Sequence, residues 1–204
     1  TGARATRVLA AAEAERSHGL RTLRTLEQRN AELLQAAGTD ELTGLGNRRA
    51  LDAFLPPLFA QAAAEGQPLA CLMFDLDEFK RINDRLGHDV GDQALRAVGR
   101  VLRQQSRGMD FVARVGGEEC LMLCPQTTEE AAMRVAERIR AAIAVPQADL
   151  PPLSVSVGVA LGAAGFADAA SLIRAADQAL LQAKRLGRNR VCLAPTSSSA
   201  AASN

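Results

Sequence analysis

The sequence predicts an α+β domain in which helices flank a central, mostly antiparallel sheet, preceded by a long N-terminal helix. Three observations predict it. Apolar, strand-like runs at 69–74, 153–160 and 190–194 alternate with segments of helical periodicity. Inside 109–124, two short apolar runs flank Gly116-Gly117, which reads as a tight hairpin turn and so sets two strands antiparallel. Residues 1–37 are rich in Ala, Leu, Glu, Arg and Gln and contain no proline.

Within 1–37, Leu9, Ala12, Arg16, Gly19, Leu23, Leu26, Asn30, Leu33 and Ala37 fall on the a and d positions of one heptad frame. The frame is sound from Leu23 onward and poor at Arg16 and Gly19. Asn30 at an a position favours two-stranded, in-register pairing. A solitary helix packed on its own domain is the alternative. Gly38 ends this helix, and Thr39-Asp40 offers a cap for the segment after it. A helix at 48–64 precedes LACLMF at 69–74, a continuous apolar run suited to a strand buried on both faces. A short helix near 77–85, a polar loop through Gly87 and Gly91, and a helix at about 92–106 lead into the hairpin. An amphipathic helix at 127–144, a strand at 153–160, a helix at 168–186 and a strand at 190–194 complete a domain spanning 38–194. The tail 195–204, PTSSSAAASN, has nothing to bury and reads as disordered.

At 204 residues the chain accommodates one domain plus an appendage, and 48% apolar residues suffice for a core although Trp and Tyr are absent. A formal net charge of +1 lacks the basic excess of a nucleic-acid-coating surface, so no nucleic-acid partner is expected. No apolar run approaches the ~20 residues that span a bilayer, and no signal peptide opens the chain. The domain is therefore expected in the cytoplasm. The Thr1 start reads as a cut from a longer protein, whose upstream part could still carry a membrane anchor. Cys71, Cys120, Cys124 and Cys192 lie in apolar runs with no CxxC pair and few histidines, which reads as buried free thiols in a reducing compartment rather than a zinc site.

The polar residues at the strand ends carry the chemistry. Glu118 and Glu119 follow the Gly-Gly turn at once and concentrate negative charge where glycine lets another molecule approach. An ordinary hairpin with acids is the alternative. Asp75 closes the 69–75 run at its carboxyl end, where open α/β sheets present ligands. If that strand pairs with the hairpin, Asp75 and Glu118 meet over one sheet edge. Two carboxylates and a backbone carbonyl then form a hard oxygen site for Mg²⁺ or Mn²⁺, completed by phosphate oxygens. An N-cap is the other reading of Asp75. Asn83 and Asp92 flank a Gly-containing loop and could read a guanine edge, the carboxylate accepting from N1–H and the 2-amino group. Loop and cap chemistry is the plainer reading. Lys184 and Arg188 in AKRLGRNR are fit to neutralise a polyphosphate, or to sit as a solvated helix end.

Taken together, four ordered blocks resemble the GGDEF family of diguanylate cyclases over roughly 38–194. They are DELTGLGNRR at 40–49, FDLDEFKRINDRLGHDVGDQAL at 74–95, RVGGEEC at 114–120 and AKRLGRNR at 183–190. The resemblance implies a ferredoxin-like, nucleotide-cyclase palm-like sheet and the condensation of two GTP into cyclic di-GMP plus two pyrophosphates. It implies that Asp75, the carbonyl of Leu76 and Glu118 hold metal. Glu118, with Glu119, would assist deprotonation of the attacking hydroxyl. Asn83 and Asp92 would bind guanine, with His88 close by or merely ordering its loop. Lys80, Lys184 and Arg188 would face the phosphates, and Gly117 would let the ribose approach. Arg107-Gly-Met-Asp110 looks like the family's RxxD inhibitory product site, with Arg138 completing it and Arg134 a weaker candidate. A homodimer through the N-terminal helix and an upstream sensory domain are implied partners.

The chain departs from the pattern at Cys120, where the family usually has Phe, and at Leu181, where Tyr is common. Strand alternation turns Cys120 away from Glu119, so a packing role is expected, with a loosened hairpin. Leu181 is expected to pack as well. The competing functions are a non-catalytic cyclic di-GMP receptor acting through Arg107 and Asp110, and a GTP-binding regulatory module without turnover.

Overall fold

Leu69–Leu76 is buried along its whole length because it lies in the middle of the sheet and is covered on both faces. The computed structural model describes residues 38–162 and 166–195; the expected coiled-coil helix over 1–37 and the tail beyond residue 195 lie outside the described residues. In chain order the elements are α1 (Arg48–Glu65), β1 (Leu69–Leu76), α2 (Phe79–Leu86), α3 (His88–Gln105), β2 (Phe111–Arg114), β3 (Glu119–Pro125), α4 (Glu129–Ile143), β4 (Val155–Leu161), α5 (Ala169–Arg185) and β5 (Val191–Leu193). The sheet runs β2-β3-β1-β4-β5, antiparallel except for the parallel β4–β5 pair. This is the α+β architecture that the sequence predicts.

Period-two alternation along β1 divides the core. Ala70, Leu72, Phe74 and Leu76 face the layer formed by α3 and α4. Leu69, Cys71 and Met73 face the layer formed by α1 and α5. Helix starts follow local capping chemistry. Asn47 accepts from Ala50 N–H at the head of α1, and Thr128 from Ala131 N–H at the head of α4. Asp168 and Ser171 form a reciprocal capping box on α5.

The expected polar loop through Gly87 and Gly91 is a correction. Gly87 alone breaks the chain, at φ 89° and ψ 161°, and α3 begins at His88. A single glycine suffices because its backbone reaches that region without a Cβ penalty. Gly91 is buried inside α3, where a Cβ would collide with Asn83 Oδ1. The glycine there permits close helix packing rather than a loop. Leu181 is also corrected: it is 47% exposed and fills no core position. Among the described residues no helix is long and apolar enough to cross a membrane.

Gly158 on β4 lies against α5, and a Cβ there would strike the backbone at Ala176 O and Leu180 N. Backbone cannot rotate aside as a side chain can, so Gly158→Ala is expected to destabilise the domain by about 2 kcal/mol or more. Urea unfolding measures this, and a midpoint equal to wild type would contradict the packing described.

Candidate active site

The β1–β3 ladder gathers the acids at one end of the sheet. Asp75 is in register with Glu119, and the Leu76 N–H donates to the Glu118 carbonyl at 3.3 Å. Asp75 therefore belongs to the strand end and not to a cap; the residue preceding α2 is Glu78, whose side chain caps nothing. The Asp75 side chain is only 7% exposed and pairs with Lys184 Nζ at 2.7 Å. Burial pushes its carboxyl up to about 6, opposed by the hydrogen bond and charge of Lys184 and reinforced by Glu118 and Glu119. Lys184 thus sits on a carboxylate, where the sequence reading had it facing phosphate.

Mutual repulsion among these carboxylates is the kind of strain that a divalent cation relieves. Among the described residues no three His, Cys, Asp or Glu side chains converge into a ready cage. The donor set on offer is the pair Asp75 and Glu118 with the Leu76 carbonyl. That fits a cation such as Mg²⁺ or Mn²⁺, which keeps positions for ligand oxygens, better than a closed zinc site.

The hairpin differs in detail from a primed two-residue turn. Arg114 pairs with Cys120, and Val115 N–H donates to the Glu119 carbonyl at 2.9 Å, leaving Gly116, Gly117 and Glu118 as the loop. Neither glycine adopts a positive φ. At Gly116 a Cβ would lie 2.6 Å from Glu119 Oε2, the mobile end of a side chain that can turn aside. Gly117 faces open space, with no protein atom within 4 Å of an added Cβ. Cys120 is 1% exposed and packs in the core, as its alternation with Glu119 requires.

Asn83 on α2 and Asp92 on α3 are half-buried, and the two helices meet where Gly91 admits the Asn83 amide. Asn83 Oδ1 is buried without a hydrogen-bond partner. A buried polar atom left unpaired costs about 1–3 kcal/mol. His88 is exposed at the head of α3, and its side chain forms no hydrogen bond among the described residues. Lys80, in the first turn of α2, is exposed too.

Arg188 is exposed in the turn after α5 and has no ion-pair partner among the described residues. It also lines a cleft of about 470 Å³ with Asp77, Glu78, Arg81, Arg85 and Pro152. That cleft uses the face of α2 that carries neither Lys80 nor Asn83. Neither Asp75 nor Glu118 lines that cleft, and the chemistry of the donor groups favours the carboxylate cluster.

Arg107 and Asp110 close a turn before β2: Arg107 N–H donates to Asp110 Oδ2 at 2.7 Å, and Asp110 N–H to the Arg107 carbonyl at 3.0 Å. Arg138 on α4 donates to Gln105 Oε1 at 2.7 Å and to the Gln105 carbonyl at 3.1 Å, beside the same turn. The three expected product-site residues thus share one neighbourhood. Strand β2 separates them from the Gly116–Glu118 loop by on the order of 15 Å.

Sequence reasoning missed the arginine that organises the loop. Arg114 donates from Nε and Nη2 to the Gly117 carbonyl at 3.0 and 2.7 Å, and from Nη1 to Asp40 Oδ2 at 3.2 Å. Thr43 adds its N–H and hydroxyl to Asp40 Oδ1 at 2.9 and 2.6 Å. Burial pushes the Asp40 carboxyl up, but the Thr43 hydrogen bonds and Arg114 outweigh it, leaving the group below its ordinary value. Asp40 stands in the DELTGLGNRR block and Arg114 in the RVGGEEC block, so their proximity in space was the missing information.

The profile of the diguanylate cyclase GGDEF domain matches residues 37–190. The chain belongs to the GGDEF family. Its GGDEF domain is 38% identical over 164 residues to the response regulator PleD of Caulobacter vibrioides, a match covering 78% of this chain and 36% of that protein. It is 42% identical over 160 residues to the diguanylate cyclase DgcP of Pseudomonas aeruginosa, covering 77% of this chain and 24% of DgcP. The chain thus spans about a third or less of these relatives' length. Among solved structures, the coiled coil and GGDEF domain of DgcB from Caulobacter crescentus, in complex with c-di-GMP, superposes with a TM-score of 0.80 at 32% identity. That match covers 89% of this chain and 98% of DgcB's. The active GGEEF domain of a Vibrio cholerae diguanylate cyclase gives 0.70 at 38% identity, over 73% of this chain and 97% of its own.

The Asp40–Arg114 pair in this GGDEF domain has a pH signature. A carboxyl held below its unfolded value stabilises the fold above that value and loses this as pH falls. The stability advantage of wild type over Asp40→Asn is expected to hold steady from pH 7 to about 5 and to shrink below about pH 4. Urea unfolding across that range checks it; a difference constant down to about pH 2.5 would show that the charge contributes nothing.

Proposed function

We propose that this GGDEF domain is a diguanylate cyclase that condenses two GTP into cyclic di-GMP and two pyrophosphates. The observation that carries the reading is the meeting of Asp75, Leu76 and Glu118 at the β1–β3 end. The 3′-hydroxyl of each GTP attacks the α-phosphorus of the other, and the bond to the pyrophosphate breaks in line. Glu118, at the rim of the loop, takes the hydroxyl proton, with Glu119 beside it. Asn83 and Asp92 hold guanine from the contact between α2 and α3. Open space at Gly117 admits the ribose. Lys80 and Arg188 meet the phosphates from the start of α2 and the α5–β5 turn. Lys184 holds Asp75 in place and limits the repulsion between acids. His88 lies near the base as a minor contact. Mg²⁺ or Mn²⁺, held by Asp75, the Leu76 carbonyl and Glu118, would supply charge neutralisation at the phosphates.

Two GTP need two facing half-sites, so the active form is a homodimer assembled through the N-terminal helix and driven by an upstream sensory domain. Cyclic di-GMP binds at Arg107, Asp110 and Arg138 and halts turnover. The DgcB structure in complex with c-di-GMP supports a ligand of that kind. Cys120 takes away no charged group, and its burial in the core leaves the receptor reading without a specific observation in its favour.

GTP turnover with Mg²⁺, after removal of bound nucleotide, tests the reading. Glu118→Gln is expected to lower cyclic di-GMP formation by at least about 100-fold. Comparable rates in both proteins would refute the assignment of Glu118, and absence of product from wild type would refute the cyclase. Arg107→Ala is expected to raise the cyclic di-GMP concentration for half-inhibition by about tenfold or more, because a charged bidentate contact is lost. An unchanged inhibition curve would remove the product site from this turn.

A further inference from the structure

Asp77 has no part in the reaction as proposed, yet it is among the most completely engaged polar groups of the domain. The residue is 7% exposed. Its Oδ1 accepts from Ser156 Oγ at 2.6 Å, and its Oδ2 from Ser154 Oγ at 2.8 Å and the Asn189 N–H at 3.0 Å. The last bond reaches the turn between α5 and β5. There Arg188 and Asn189 sit at φ 63° and 44°, in the left-handed region without being glycine. For Arg188 this costs about 1 kcal/mol or more and persists only where its surroundings hold it, while asparagine visits the region more readily. The Arg188 N–H donates to the Ala183 carbonyl at 3.0 Å, and Arg140 Nη1 donates to Asn189 Oδ1 at 2.8 Å. Among the described residues, every polar anchor of this turn acts on its backbone or on Asn189. The Arg188 guanidinium has no partner among the described residues, and the residue is exposed.

We infer that Asp77 is a positioning residue: it clamps the Arg188–Asn189 turn so that Arg188 presents its guanidinium to the phosphate tail of the bound nucleotide. The inference rests on the cyclase reading, in which Arg188 meets the phosphates. A carboxylate suits the task because a charge-assisted bond to an amide is roughly twice as strong as a neutral one. The two serines engage both carboxylate oxygens as well, so Asp77 is turned toward protein donors. Asp75 and Asp77 are only two residues apart, yet they reach different parts of one connection. Asp75 takes the Lys184 side chain, and Asp77 takes the Asn189 backbone.

Calorimetric binding of two probes in Mg²⁺ tests this: guanosine 5′-(α,β-methylene)triphosphate, which cannot release pyrophosphate, and GMP, which lacks the outer phosphates. Asp77→Asn is expected to weaken the triphosphate probe by about tenfold and GMP by less than about twofold. Arg188→Gln is expected to do the same, and the double variant to be no weaker than either single one, because both changes remove one interaction. Ser154→Ala, which removes one clamp on the carboxylate, is expected to give a smaller loss in the same direction and stands in if Asp77→Asn fails to fold. Equal weakening of both probes, or losses that multiply in the double variant, would overturn the positioning role. A shift in the Mg²⁺ dependence of binding would overturn it in favour of a metal ligand. Wild type that binds neither probe would bring down the cyclase reading and this inference with it.

Discussion

The end of β1 places Asp75 where water is nearly excluded, and a buried carboxylate is tolerated only when an opposite charge or a full set of hydrogen-bond donors meets it. Lys184 does so at 2.7 Å, and in doing so ties the last turn of α5 to the end of the central strand. Much of the site follows from that tie. It brings the α5–β5 turn, with Arg188 and Asn189, over the same sheet end that carries Glu118 and Glu119. The ion pair also leaves the cluster short of cations, since one ammonium faces several carboxylates.

A second set of charges frames the loop from the other side. Arg114 spans from Asp40, at the start of the domain, to the Gly117 carbonyl, so the loop backbone is held from below while its open face stays clear. Asp40 is itself fixed by Thr43, and Gly99 on α3 leaves room for Thr43 to sit against the helix. The glycines of this domain therefore serve different ends. Gly87 bends the chain, Gly91, Gly99 and Gly158 let elements approach, and Gly117 faces open space.

Much of the fold was legible because its strands are strongly patterned. LACLMF reads as a doubly buried strand and is one, and the runs around Gly116-Gly117 pair as a hairpin. The break between α2 and α3 was less legible. A stretch of polar residues looks like a loop whether one residue is non-helical or six, and only Gly87 is. At the candidate site, Asp75, Glu118, Asn83 and Asp92 stood out in the sequence by residue type and spacing. Arg114 and Asp77 did not, because an arginine or an aspartate within a motif looks the same whether it meets a ligand or a neighbouring backbone group.

By itself the sequence determined the α+β class, the order of elements, the family and the acids and bases that are candidates for the site. Hydrophobic periodicity and motif spacing are local properties, and local properties survive in a one-dimensional string. Tertiary structure alone decided the partners of those groups: Lys184 on Asp75, Arg114 between Asp40 and Gly117, Asp77 on Asn189, and an unsatisfied oxygen on Asn83. Each of these contacts joins segments brought together by sheet order and helix packing. Which charges neutralise one another there depends on distance and burial, and spacing along the chain fixes neither.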